Sequence, residues 1–169
     1  MKKQPALVRK GSPATSHSIS EALSLAIHEH RILPGTKLGE DELGEIYGVS
    51  RTVVRAALQS LSHVQLVEIR RNRGAFVARP SLKEANEVFE ARELLEPRTA
   101  FSASSRATEA DIALLERHIQ DEHAALDASD PGRALYLSGL FHMEIARIAG
   151  QSTICLLYTS PSPRDLNPN

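Results

Sequence analysis

The chain has 169 residues, 41% of them apolar but only 4% aromatic and none of them Trp, so it suits one ordinary domain or two small ones packed from Leu, Ile, Val and Ala. No apolar run is long enough to cross a bilayer, and the basic start Met1-Lys2-Lys3-Gln4-Pro5 lacks the apolar stretch of a signal peptide, so a membrane or secreted protein is not expected and a cytoplasmic location is. The formal net charge of −1 hides an asymmetry: residues 1–80 carry 12 Lys/Arg against 7 Asp/Glu, residues 81–169 carry 8 against 14, as in a polyanion-binding part joined to an acidic one.

Residues 1–15 are polar, carry Pro5, Gly11 and Pro13 and show no period, as in a flexible arm whose Lys2, Lys3, Arg9 and Lys10 can touch phosphate. From Ser18 onward, Ile19, Leu23, Ala26 and Ile27 recur at helical spacing, and the Leu33-Pro34-Gly35 turn predicts a stop near Arg31. A short second helix is predicted over about Glu40 to Tyr47. Glu40, Asp41 and Glu42 favour its positive end, Leu43 and Ile46 face inward, and Gly48 supplies a left-handed turn. Ser50 is placed to cap a third helix running to about Ser62. Its Val54, Ala57, Leu58 and Leu61 form one buried stripe, and Arg51, Thr52, Arg55 and Gln59 occupy the opposite face.

Leu66-Val67-Glu68-Ile69 and Ala75-Phe76-Val77-Ala78 are β-prone segments flanking a basic tip, Arg70 to Gly74, and Pro80 closes the unit. Three helices followed by a two-stranded hairpin make a winged helix-turn-helix over residues 16–79. A helix and a hairpin tip, both basic and close in sequence, are what a reader of duplex DNA needs.

Residues 80–154 read as wholly helical, giving a mainly α chain. Ser81-Leu82-Lys83-Glu84 and Thr108-Glu109-Ala110-Asp111 match the capping-box spacing, and Asp130-Pro131 sets a cap before a first-turn proline. Helices are predicted at about 82–104, 109–127 and 132–149. Their apolar faces draw on Val88, Leu94, Leu95, Ile112, Leu115, Ile119, Leu126, Leu135, Leu140, Ile145 and Ile148, and Pro97 is expected to kink or divide the first. From Cys155, the lone cysteine, to Asp165 there is no period and two prolines stand within three residues. That run resembles the in-frame translation of a sequencing adapter, so residues 155–169 are expected to be a non-native tail on a truncated helical domain.

Leu33-Pro34-Gly35-Thr36-Lys37-Leu38, Tyr47-Gly48-Val49-Ser50-Arg51-Thr52, Arg55-Ala56-Ala57-Leu58 and Arg73-Gly74-Ala75-Phe76-Val77 together resemble the N-terminal domain of GntR-family transcription regulators. Arg92, Leu95-Glu96, Phe141-His142 and Ala149-Gly150 look like the FadR subfamily, whose helical FCD domain binds ligand and dimerises. The chain departs from the pattern at Val53 (commonly Pro), Ala56 (commonly Glu) and Gln65 (usually Gly). It departs again at Ser138, where many relatives place an Asp that binds a divalent metal together with the histidine four residues on. Serine is a poor metal ligand, so no metal and no cofactor is expected.

Arg51 and Arg55 lie one turn apart, and a guanidinium can donate bidentately to guanine O6 and N7 in the major groove. Ser50 and Thr52 can bond phosphate, Gly74 permits close backbone approach and Arg73 can enter the minor groove. The expected DNA-binding set is therefore Ser50, Arg51, Thr52, Arg55, Gln59, Arg73 and Gly74. By the resemblance, Arg92 faces the effector cavity and meets a carboxylate; by its spacing alone it is equally a surface partner of Glu96. His142 is either a contact to effector or metal or a helix histidine with a satisfied partner. The resemblance implies a transcriptional regulator, not an enzyme. Its expected partners are a double-stranded DNA operator, a small carboxylate-type effector and, at full length, a second copy of the chain in a homodimer. The alternatives are a metal-dependent helical enzyme using His142 and a winged helix serving only protein contact.

Overall fold

The computed structural model describes residues 14–151 and Thr153. Most of the arm, the expected tail and Cys155 lie outside the described residues. The described residues form two compact units, one of residues 14–27 and 32–78, the other of residues 28–31 and 79–151 with Thr153.

In the first unit, α1 (Ser16–His28) opens on Thr15. The Ser18 amide donates to the Thr15 hydroxyl (3.1 Å) and the Thr15 amide to the Ser18 hydroxyl (2.9 Å), a reciprocal cap one turn ahead of the predicted start. The strand β1 (Lys37–Leu38) leads into α2 (Glu40–Tyr47) and α3 (Arg51–His63), and β2 (Val67–Arg70) and β3 (Gly74–Val77) form the hairpin. The sheet is antiparallel in the order β1-β3-β2, with Lys37 opposite Phe76, Leu38 opposite Ala75, and Arg70 opposite Gly74 across the tip. The wing thus has three strands rather than the predicted two.

Ile19, Leu23, Ala26 and Ile27 of α1 and Val54, Ala57, Leu58 and Leu61 of α3 are all buried, as their spacing predicts. All of these except Ala26 pack with Leu38, Leu43, Leu66, Val67, Ala75 and Val77, and each large aliphatic side chain so buried contributes about 1.5–3 kcal/mol before the entropy of ordering is charged against it. Ile46 corrects the prediction: it is 53% exposed. A helix of two turns has room for one inward row against the core, and Leu43 takes it.

Two turns depend on left-handed backbone. Gly48 (φ 66°) ends α2, with the Val49 amide donating to the Gly44 carbonyl at 3.0 Å. At the end of α3 the Gln65 amide donates to Ser62 O (3.1 Å) and the Leu66 amide to Leu61 O (3.0 Å), which is the bonding of a Schellman motif. The left-handed position there belongs to Gln65 itself, at φ 60°. This is the place where the sequence departs from a usual glycine, and the side chain accepts the strained conformation to keep both bonds.

The second unit holds α4 (Leu82–Ser104), α5 (Glu109–Asp127) and α6 (Pro131–Ile148), within a residue of the predicted spans. Both capping boxes form: Ser81 with Glu84 and Thr108 with Asp111. Asp130 accepts from the Arg133 amide at 3.0 Å ahead of Pro131. Pro97 lies inside α4, which runs through it undivided. The contacts are made largely by small residues: Ala103 with Ile148 and Ala149, and Ala125 with Ala134 and Leu137. Leu94, Ile112, Ile119 and Leu126, expected on apolar faces turned inward, are instead exposed. Three helices offer one another less surface than their apolar positions would need. Thr99, almost fully buried, donates its hydroxyl to Leu95 O (2.9 Å) and lies 2.7 Å from Gln151 Oε1. No helix among the described residues is long and apolar enough to cross a membrane.

Candidate nucleic-acid interface

The buried stripe of α3 fixes what its other side presents. With Val54, Ala57, Leu58 and Leu61 turned inward, Arg51, Thr52, Arg55 and Gln59 are all exposed on the helix. Ser50 occupies the cap position with extended backbone (φ −71°, ψ 155°), but its side chain makes no capping hydrogen bond, contrary to expectation. The helix start therefore offers an exposed hydroxyl together with the Arg51 and Thr52 amides, which have no partner inside the helix, while the Val53 amide donates to Ser50 O at 3.0 Å.

The two arginines are held. Glu40, the first residue of α2, receives the side edge of Arg55, with Nε donating to Oε1 at 2.9 Å and Nη2 to Oε2 at 2.6 Å. The next residue, Asp41, pairs with Nε of Arg51. Hydrogen bonding from Arg55, and after it the positive charges nearby, lowers the Glu40 carboxyl below its usual range against an opposing effect of burial. The same pair raises the Arg55 guanidinium. From the sequence these acids read only as favourable charges for the start of α2. Their pairing spans ten and 15 positions in the chain and needs the α2–α3 turn to be built first.

At the wing, the turn closes with the Arg73 amide donating to Arg70 O at 3.0 Å, Asn72 at φ 58° and Gly74 at φ 97°. Any side chain at position 74 would carry the left-handed penalty that glycine avoids. Arg70 turns back on its own hairpin: Nε and Nη2 donate to Glu68 Oε2 at 3.0 and 2.8 Å, and the guanidinium sits 4.7 Å from the centre of the Phe76 ring. Arg71 and Arg73 remain exposed at the tip.

In the second unit, Arg92 is largely buried and its Nε donates to Glu96 Oε1 at 2.7 Å. His142 Nδ1 lies 4.0 Å from the same oxygen, so one carboxylate brings a residue of α4 and a residue of α6 together. Among the described residues no group of three or more His, Cys, Asp or Glu stands close enough to hold a metal ion.

Residues 15–77 match the family model of bacterial regulatory proteins, gntR family, and residues 87–164 match the FCD domain. The chain is similar to the Uxu operon transcriptional regulator of Escherichia coli (strain K12), with 34% identity over 140 residues covering 74% of this chain and 54% of the relative. It is also similar to the HTH-type transcriptional repressor RspR of Escherichia coli (strain K12), with 30% identity over 118 residues, 70% of this chain and 52% of the relative. The chain thus spans about half the length of these curated relatives. Among solved structures, E. coli McbR/YncC superposes with a TM-score of 0.76 over 90% of this chain and 74% of that one, at 21% identity, a likeness of fold.

Proposed function

Because the chain belongs to the GntR family of bacterial regulatory proteins and carries an FCD domain behind its winged helix, we propose that it is a sequence-specific DNA-binding transcriptional regulator acting in the cytoplasm. The observation that carries this reading is the outward row of Arg51, Thr52, Arg55 and Gln59 on α3, fixed in place by the buried stripe behind it. Arg55 donates to a guanine edge, Ser50 and Thr52 bond phosphates beside the first-turn amides, and Arg73 with Gly74 supplies the wing contact. At full length two copies bind a near-palindromic operator, one α3 per half-site. The names of the relatives, one of them a repressor, favour repression.

The FCD unit responds to a small organic acid. Arg92 and His142 meet at a shared carboxylate, Glu96, and an incoming carboxylate that took the place of Glu96 would gain the Arg92 guanidinium and the neighbouring His142 ring. Such a ligand shifts DNA affinity only by as much as its own affinity differs between the two arrangements of the protein.

The test is selection of a preferred duplex from a random library, followed by titration of that duplex and of random DNA with Arg55→Ala. The variant should lose roughly 5- to 150-fold on the selected site and little on random DNA. An equal loss on both would reduce Arg55 to a phosphate contact, and no selected site at low salt would end the reading.

A further inference from the structure

The geometry points to a specificity role for an acidic residue inside a basic interface: we propose that Glu40 is a positioning residue that aims the Arg55 guanidinium at a base. This rests on the reading of Arg55 as a base contact given above.

A guanidinium carries five N–H donors in one plane and has two edges that can each make a parallel pair of hydrogen bonds. The side edge, Nε–H with one Nη2–H, is fully taken by the two oxygens of Glu40 at 2.9 and 2.6 Å. The end edge, Nη1–H with the second Nη2–H, has no hydrogen-bond partner among the described residues, and the Arg55 side chain is 60% exposed. That remaining edge matches the O6 and N7 acceptors of guanine. Glu40 therefore does not compete with the base for the same donors. It fixes the plane and direction of the fork, and so removes rotamer freedom that base contact would otherwise have to restrict.

The placement of Glu40 supports this. It is the first residue of α2, its side chain is only 29% exposed, and the helix it belongs to is packed against α3. The carboxylate stays ionised because Arg55 lowers its proton affinity. A second effect follows from charge. A neutralised Arg55 attracts phosphate less, so the pair weakens binding to arbitrary sequence while retaining bidentate reading of a guanine. Asp41 on Arg51 applies the same neutralisation one turn earlier through a more exposed pair.

The experiment uses the full chain and fluorescence anisotropy titrations on the selected duplex and on random duplex DNA, with Glu40→Gln, Arg55→Ala and the double variant. Glu40→Gln keeps the shape and removes the charge. It should lower the ratio of selected-site to random affinity about tenfold, with random-sequence binding unchanged or tighter. On the Arg55→Ala background the same substitution should leave the ratio unchanged, because the group being aimed is gone. Equal tightening on both DNAs with an unchanged ratio would make Glu40 a mere counter-charge and overturn the proposal. If Arg55→Ala itself shows no preferential loss on the selected site, the base-reading premise and the proposal both fall, a result distinct from failure of Glu40→Gln alone. Glu40→Asp, which keeps the charge but withdraws it by one methylene, should lower the ratio as Glu40→Gln does, and it reads the geometry should the amide variant fold poorly. A ratio at the parent level in Glu40→Asp would likewise overturn it.

Discussion

Leu58→Ala tests the claim that the inner row of α3 holds the outer row in place. Leu58 is 1% exposed and lies in one cluster with Ile19, Val54, Leu61, Val67 and Val77. Truncation removes three carbons, worth about 2.4 kcal/mol at roughly 0.8 kcal/mol per buried methylene. Closely packed surroundings relax only in part, and the cavity raises the total to about 3–5 kcal/mol. Hydrogen exchange of the α3 amides reads this unit alone, and that loss corresponds to exchange faster by about 150- to 5,000-fold at positions that open globally. Leu94→Ala, at a residue 80% exposed in the second unit, is the control for the readout and should leave exchange of the α3 amides unchanged. An acceleration below about fivefold for Leu58→Ala would show that α3 is not anchored by this stripe and that its outward face is not fixed by it.

Two further outcomes can be checked by denaturation. Asp111 is held at a pKa of about 2, against 3.8 ordinarily, first by the Thr108 hydroxyl, then by the Thr108 amide and then by Arg147. The unfolded chain takes up that proton at higher pH than the folded one. The stabilisation is therefore complete above about pH 4 and is lost as pH falls toward 2. Urea midpoints for Asp111→Asn should fall less steeply over that window than those of the parent; parallel curves would remove Asp111 from the account of acid stability. Gln65→Gly relieves a left-handed non-glycine residue whose two Schellman bonds are already made, so it should stabilise the first unit by about 0.5–1 kcal/mol in urea titrations despite the freer unfolded chain. A destabilisation would mean that the Gln65 side chain contributes packing that outweighs its backbone strain.

What could be read from the residues was what is local in the chain. The spans of α2 and α4, both capping boxes and the inward rows of α1 and α3 depend on neighbours three and four positions apart, and all are as the spacing predicts. The misses depend on partners far away. Lys37 and Leu38 look like loop until Phe76 and Ala75 arrive to pair with them. Glu40 and Asp41 look like first-turn acids until α3 folds back. Leu94, Ile112, Ile119 and Leu126 sit at helical spacing, yet burial is decided by whether another element covers them, which no period reports. The outward arginines were legible because a helix with one buried stripe has only one other side.

The pairing of Lys37–Leu38 with Ala75–Phe76 makes the segment leading into α2 part of the wing sheet. Finger and rod therefore share one mount, the three-stranded sheet. On the proposed reading, contacts from the tip and from α3 would keep a fixed separation along a duplex, and a site with the right bases at the wrong offset would be rejected as a whole. Discrimination of spacing would then come from a two-residue stitch.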